Sequence, residues 1–111
     1  MLREAFYQRG DTKLNYVEGP DNGIPFLLLP AFDNRWQSYS SIIPSLAKEN
    51  HLYALDTRGR GRSDHTAGEY DLKYCLDDVV GFIETVIGEP CHVFGHSLGV
   101  WIGLWLAASR P

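Results

Sequence analysis

Short apolar runs alternate along this chain with longer segments in which apolar residues recur at helical spacing. The runs 26–29 (FLLL) and 91–94 (CHVF) have the length of strands, whereas 72–86 and 100–108 have the length of helices. Because 26–29 lies between two prolines and does not alternate with polar residues, it indicates a strand covered on both faces. This alternation predicts an α/β fold: a mostly parallel central sheet with right-handed crossovers and flanking helices.

The N-terminal half predicts a hairpin, a further strand and a helix. Residues 4–9 and 13–18 indicate two strands joined by a turn at Gly10, and residues 51–55 (HLYAL) indicate another strand. A helix is predicted between the strands 26–29 and 51–55, with Asp33 or Asn34 as its N-cap. Its apolar residues, at helical spacing, are Trp36, Tyr39, Ile43 and Leu46. We expect Pro44 to kink or restart that helix.

The segment 71–88 is the most fully specified helix. Asp71 is the expected N-cap and Gly88 the expected end. The apolar stripe consists of Leu72, Leu76, Val79, Ile83 and Val86. The opposite, polar face carries Lys73, Asp77, Asp78 and Glu84. The stripe therefore predicts that one face of this helix packs on the sheet.

Residues 95–99 read Gly-His-Ser-Leu-Gly and lie between a predicted strand and a predicted helix. A strand, a sharp turn and a helix would display the Ser97 hydroxyl at the carboxyl end of a strand, in front of a helix N-terminus that stabilises negative charge. The flanking glycines relieve crowding where the strand turns back into the helix. Chance supplies G-x-S-x-G in roughly one such chain in fifteen, so it is the context that makes Ser97 the candidate nucleophile.

Composition narrows the classes of partner. The chain has 111 residues, a formal net charge of −4 and 44% hydrophobic residues, which is typical of one globular unit without a broad cationic face. We therefore expect neither nucleic acid nor a membrane surface as a partner. We also expect the protein to be soluble and cytoplasmic. Cys75 and Cys91 are interpreted as small buried hydrophobes, and the histidines show no ligand spacing, so no metal or other cofactor is predicted.

Three stretches together resemble the α/β-hydrolase family. Residues 95–99 look like its nucleophile elbow, and residues 56–63 (DTRGRGRS) match a D-x-R-G-x-G-x-S loop whose role in the family is chiefly structural. The third stretch, 29–33 (LPAFD), lies where the family has a His-Gly pair before an oxyanion-hole residue, with Pro30 and Ala31 in the place of that pair. From the residues alone, the arginines of 56–63 leave phosphate or nucleic-acid contact open as an alternative to a structural turn.

The resemblance implies a serine hydrolase acting on a small ester or related acyl substrate. Ser97 would be the nucleophile, and the backbone N–H groups of Leu98 and Phe32 would form the oxyanion hole. It also implies that residues 1–111 are the N-terminal part of a single α/β-hydrolase domain. C–C bond hydrolases, acyltransferases, lactonases and haloperoxidases of the same family are alternatives.

The sequence after Ser97 contains no Asp, Glu or His, although the fold places its acid and base there in chain order. We interpret His96 as a packing or pocket-wall residue instead of the base. The isolated chain is therefore expected to be inactive, with its acid and histidine downstream of Pro111. The alternative is a non-catalytic binding or assembly module that self-associates through an open strand edge.

Overall fold

The strands and helices follow the predicted order along the chain. The computed structural model describes residues 2–10, 12–29, 35–56, 72–95 and 98–109. The strands are β1 (Arg3–Arg9), β2 (Thr12–Glu18), β3 (Pro25–Leu29), β4 (His51–Leu55) and β5 (His92–Gly95). The helical segments are a 3₁₀ helix (Trp36–Tyr39), α1 (Ile43–Ala47), α2 (Leu72–Phe82), a π-helical turn (Ile83–Ile87) that continues α2, and α3 (Leu98–Ser109).

The described strands form one sheet in the order β1-β2-β4-β3-β5. Strand β3 lies between β4 and β5 and runs parallel to both, as expected for strands joined through helical crossovers. Strand β2 is antiparallel to β1, because the turn at Gly10, with φ of +56°, reverses the chain, and it is also antiparallel to β4. The predicted α/β class is confirmed, and the described part of the sheet is mixed.

Apolar side chains pack on both faces of this sheet. On one face, α2 and α3 contribute Val79, Phe82, Ile102 and Leu106 to a cluster with Leu27 and other sheet residues. On the other face, the 3₁₀ helix and α1 cover Leu28, Leu52 and neighbouring residues. The last three residues of β3, Leu27, Leu28 and Leu29, are fully buried, which confirms that this strand is covered on both sides.

Two features of the helices depart from the simple periodic pattern. The predicted helix after β3 is split into a 3₁₀ turn and α1, with Pro44 in the first turn of α1, as the proline predicted. The N-cap position of the 3₁₀ helix is Arg35, and Asp33 and Asn34 lie outside the described residues. Helix α2 ends in a π-helical turn that Gly88 terminates with φ of +73°, whereas Asp71 also lies outside the described residues.

The prediction that Asp78 lies on the exposed polar face of α2 is wrong. Asp78 was assigned to the polar face, but its side chain is buried and lies 3.5 Å from the Arg9 guanidinium of β1. The backbone of α2 closely approaches β1 here, since a Cβ added at Gly81 would lie 2.7 Å from the Tyr7 hydroxyl. A helical pattern identifies its own polar residues but not a cation that a distant strand brings to one of them.

Candidate functional site

The carboxyl ends of three parallel strands meet at one edge of the sheet. In the register of the sheet, Leu29 at the end of β3 pairs with Gly95 at the end of β5, and Leu28 pairs with Ala54 near the end of β4. The carboxyl ends of β3, β4 and β5 therefore lie side by side. This edge is where open α/β sheets bind ligands.

The predicted nucleophile segment lies between β5 and α3. Strand β5 ends at Gly95 and α3 begins at Leu98, and residues 96 and 97 lie outside the described part of the chain. The N-terminus of α3 has no acidic residue in its first turn, and Ile102 and Leu106 bury this helix against the sheet. The first N–H groups of a helix lack partners within it, so this end of α3 carries partial positive charge.

Asp56 ties the end of β4 to the segment that follows β3. Its side chain is fully buried, and its Oδ1 accepts a hydrogen bond of 2.7 Å from the backbone N–H of Trp36, the first residue of the 3₁₀ helix. Arg35, at the N-cap position, supplies no side-chain cap. The carboxylate of Asp56, the residue after β4, therefore performs the capping that the local sequence does not.

Tyr39 makes a second connection at the same edge. Its hydroxyl donates a hydrogen bond of 2.8 Å to the backbone carbonyl of Leu29, the last residue of β3. Its ring packs edge-on against Phe94 of β5, with centroids 6.0 Å apart. Burial raises the pKa of Tyr39, which keeps the phenol protonated as a donor.

The predicted site residues can be located only in part. Ser97, Phe32 and His96 lie outside the described residues, and Leu98 is the first residue of α3, where a backbone N–H donor was expected. The anchoring roles of Asp56 and Tyr39 were missed. The sequence did mark Asp56, because it is the first residue of the D-x-R-G-x-G-x-S match at 56–63. Its hydrogen-bond partner, Trp36, could not be predicted because it is twenty residues away in sequence.

A charged cluster lies at the opposite, amino end of β4. The His51 ring nitrogens lie 2.6 Å from a Glu18 carboxylate oxygen and 3.3 Å from an Asp21 oxygen, and Arg3 also bonds Glu18. Burial alone would raise the pKa of Glu18, but hydrogen bonds from His51 and Arg3 and their charges outweigh it and lower that pKa. Burial, then the charge and hydrogen bond of Glu18, raise the pKa of Tyr53, whose ring stacks on His51.

The chain also has an open cavity of about 570 Å³ beside α1. It is mainly apolar, and its lining comes from Trp36 and Ser40, from α1, and from the ends of the hairpin: Leu2, Pro20, Asn22, Ile43, Pro44, Ala47 and Lys48. Within the described ranges no group of His, Cys, Asp and Glu side chains is arranged to hold a metal ion. The helices of the described residues include none that is long and apolar enough to cross a membrane.

Comparisons with known proteins agree with this geometry. The model of the alpha/beta hydrolase family matches residues 26–110. Epoxide hydrolase B of Mycobacterium tuberculosis is 35% identical over 98 residues, covering 82% of this chain and 28% of that protein. Epoxide hydrolase 4 of Mus musculus is 31% identical over 102 residues, covering 89% of this chain and 28% of that protein.

Solved structures show the same architecture. Cfl2 from Burkholderia cenocepacia superposes with a TM-score of 0.91 at 27% identity, covering 99% of this chain and 38% of that chain. The chain thus spans a minor part of the length of the proteins it resembles. The match extends over nearly all of its own residues.

Proposed function

Because this chain belongs to the α/β-hydrolase family, we propose that it supplies the nucleophile of a serine hydrolase that acts on an ester or related acyl substrate. One observation carries the proposal: β5 ends at Gly95 beside Leu29 of β3, and α3 begins at Leu98. Ser97 is the only hydroxyl residue between that strand and that helix. A nucleophile in this position faces the ligand-binding edge of the sheet with a helix N-terminus behind it.

The proposed reaction uses the backbone as well as the serine. The Ser97 oxygen forms a bond to the acyl carbon while its proton passes to a base, and the carbonyl oxygen becomes an oxyanion held by the N–H groups of Leu98 and Phe32. Collapse of this intermediate expels the alcohol and leaves an acyl ester on Ser97. Water then cleaves that ester and restores the hydroxyl.

The identity of residue 97 favours an acyl substrate over an epoxide, although two of the relatives are named epoxide hydrolases. A serine oxygen that opened an epoxide would be left as a 2-hydroxyalkyl ether, which water does not readily cleave. A serine oxygen that attacks an acyl carbon becomes an ester, which water does cleave. Only the acyl reaction regenerates Ser97 in each cycle.

The base for this serine is not found after it in the given sequence, since residues 98–111 contain no Asp, Glu or His. We therefore propose that residues 1–111 alone retain only binding and oxyanion-hole effects. Loss of the base from a serine triad lowers turnover by roughly 10⁴- to 10⁶-fold.

The test uses the protein expressed with any native sequence that follows residue 111. We expect hydrolysis of p-nitrophenyl butyrate that falls by at least about 10³-fold in Ser97→Ala, together with labelling of Ser97 by a fluorophosphonate probe. Ser109→Ala, at the exposed end of α3, is the matched control and should keep full activity. Equal ester hydrolysis in Ser97→Ala would refute the nucleophile, and diol formation from styrene oxide that survives in Ser97→Ala would refute the acyl assignment.

The open edge of β5 favours a second candidate, an assembly module that pairs with another copy of itself. Among the described strands β5 pairs only with β3, and Phe94 of β5 and Trp105 of α3 are about half exposed. Sedimentation of the 111-residue chain would then show a dimer that Trp105→Ser weakens. A monomer at all concentrations would remove this candidate.

A further inference from the structure

We infer that the cavity beside α1 is a binding site for a fatty carboxylate, that is, an alkyl chain with a carboxylate head group, and that Lys48 receives the carboxylate. The site is separate from the proposed reaction and does not depend on the identity of the nucleophile. The shape of the cavity, its anchored wall and the charge at one of its ends all indicate such a ligand.

The cavity has the volume and the surface of a small-molecule site. Its volume of about 570 Å³ lies within the range of about 300–1,000 Å³ that is typical of ligand pockets, which are mainly apolar with a few polar groups. Its lining extends along α1, from Trp36, whose N–H bonds to Asp56 after β4, to Lys48, which precedes β4 in the chain. An elongated ligand therefore fits this cavity better than a compact one.

One wall of the cavity is the segment 19–24, which follows β2, and hydrogen bonds attach it to its neighbours. The Asn22 side chain donates a hydrogen bond of 2.9 Å to the carbonyl of Ala47 in α1. The Gly19 N–H donates a hydrogen bond of 2.8 Å to the carbonyl of Leu52 in β4. The wall is therefore in place before a ligand binds, and a preorganised site binds without the cost of ordering its own residues.

Much of the apolar lining is rigid as well. Pro20, Pro44 and Ala47 line the cavity, and proline and alanine side chains have no rotamer freedom to lose when a ligand covers them. Contact with an alkyl chain therefore removes apolar surface from water at little cost in conformational entropy.

The charges around the cavity select the head group of the ligand. Among the described residues that line it, Lys48 is the only cation and none is acidic. The Lys48 ammonium forms no ion pair with another described residue, whereas the nearby Asp21 carboxylate lies 3.3 Å from a ring nitrogen of His51. One ammonium matches the single charge of a carboxylate, while a phosphate monoester carries close to two charges. A carboxylate head group is therefore favoured.

The net charge of the chain makes this preference diagnostic. Residues 1–111 have a formal net charge of −4, so general electrostatic attraction favours a cationic amphiphile. Association of an alkyl chain with exposed apolar surface favours neither sign of head group. Tighter binding of the anionic amphiphile would therefore indicate a local cation.

The experiment uses the protein expressed with any native sequence that follows residue 111. Isothermal titration calorimetry measures the binding of decanoate, below the concentration at which it forms micelles. Decylammonium has the same alkyl chain with the opposite charge, and butyrate has the same head group on a short chain. Spectra of ¹⁵N-labelled protein locate decanoate through shifts of the Asn22 side-chain amide and the Trp36 indole N–H.

Two pairs of variants test the residues. Lys48→Met removes the charge and Lys48→Arg keeps it, while Lys13→Met removes an exposed lysine of β2 that does not line the cavity. Ser40→Trp places a large ring in the cavity from an exposed position, and Ser41→Trp is its matched control, because Ser41 is exposed and does not line the cavity. Circular dichroism checks the folding of each variant.

We expect decanoate to bind saturably, at about one molecule per chain, at least about threefold more tightly than decylammonium and at least about tenfold more tightly than butyrate. Lys48→Met should weaken decanoate binding by about two- to fivefold, and Lys48→Arg should bind within about twofold of the wild type. Ser40→Trp should weaken it by at least about tenfold, because the ring occupies the volume of the alkyl chain. Both control variants should bind as the wild type does.

The inference is overturned if decanoate does not bind saturably, which is the result expected if another segment or a second copy of the chain fills the cavity. It is also overturned if decylammonium binds as tightly as decanoate, if Lys48→Met binds like the wild type, or if Ser41→Trp is as impaired as Ser40→Trp. Shifts confined to Phe94 and Trp105 would assign binding to the exposed apolar surface of β5 and α3 and overturn it as well. If Ser40→Trp does not fold, the variants of the exposed Lys48 decide the outcome.

Discussion

Phe82 of α2 packs against the hairpin and β4. Its ring is fully buried and meets three tyrosine rings edge-on, with centroid distances of 4.9 Å to Tyr16, 5.9 Å to Tyr7 and 6.0 Å to Tyr53. These tyrosines come from three different strands. Replacement of Phe82 therefore tests the attachment of α2 to the sheet.

The magnitude follows from burial and from the ring contacts. Truncation to alanine in a packed core costs about 3–5 kcal/mol. Replacement by leucine keeps most of the apolar volume but loses the ring contacts, each worth about 0.5–1.5 kcal/mol. Since the three contacts share one ring and do not add fully, we expect Phe82→Leu to lower the free energy of unfolding by about 2–3 kcal/mol.

Urea unfolding followed by circular dichroism and tryptophan fluorescence measures this loss. Phe6→Leu is the matched control, because Phe6 is 44% exposed on β1 and its ring lies 5.5 Å from the Lys13 ammonium. We expect the control to cost less than about 1 kcal/mol. If Phe82→Leu costs no more than Phe6→Leu, the ring contacts do not stabilise α2 on the sheet and the reasoning is refuted.

Further predictions concern the charged cluster and two glycines. Because the pKa of Glu18 is lowered in the folded state, the stability that Glu18 contributes is present above its unfolded pKa and lost as pH falls through the folded value. The free energy of unfolding should therefore fall less on acidification in Glu18→Gln than in the wild type. In the exposed control Glu89→Gln it should fall as much as in the wild type. Gly23→Ala should cost clearly more in thermal melts than Gly88→Ala, because both have positive φ but only at Gly23 would a Cβ meet a backbone oxygen, that of Glu49, at 2.7 Å. Equal acid sensitivity of both glutamine variants, or equal costs of both alanines, would contradict these expectations.

The order of the elements was predictable because it depends on local pattern. The apolar run between two prolines predicted β3, and the stripe that ends at Gly88 predicted α2. Prolines and glycines restrict or release backbone angles wherever they stand, so their effects can be predicted from neighbouring residues alone. The position of the candidate nucleophile between a strand and a helix was predictable for the same reason.

The partners of buried polar groups could not be predicted in this way. Asp56 and Trp36, Asp78 and Arg9, and His51 and Glu18 are each far apart in sequence. Their contacts depend on the strand order β1-β2-β4-β3-β5, in which β4 enters the sheet between β2 and β3. No periodicity within one element specifies that order.

The sequence by itself determined the order of strands and helices along the chain, and that Ser97 lies between a strand and a helix. The tertiary structure alone decided which side chains meet at the edge of the sheet, and thereby that a carboxylate after β4 caps the helix after β3. The physical reason is that backbone conformation depends on nearest neighbours, whereas the partner of a buried charge depends on the sheet that brings distant residues together.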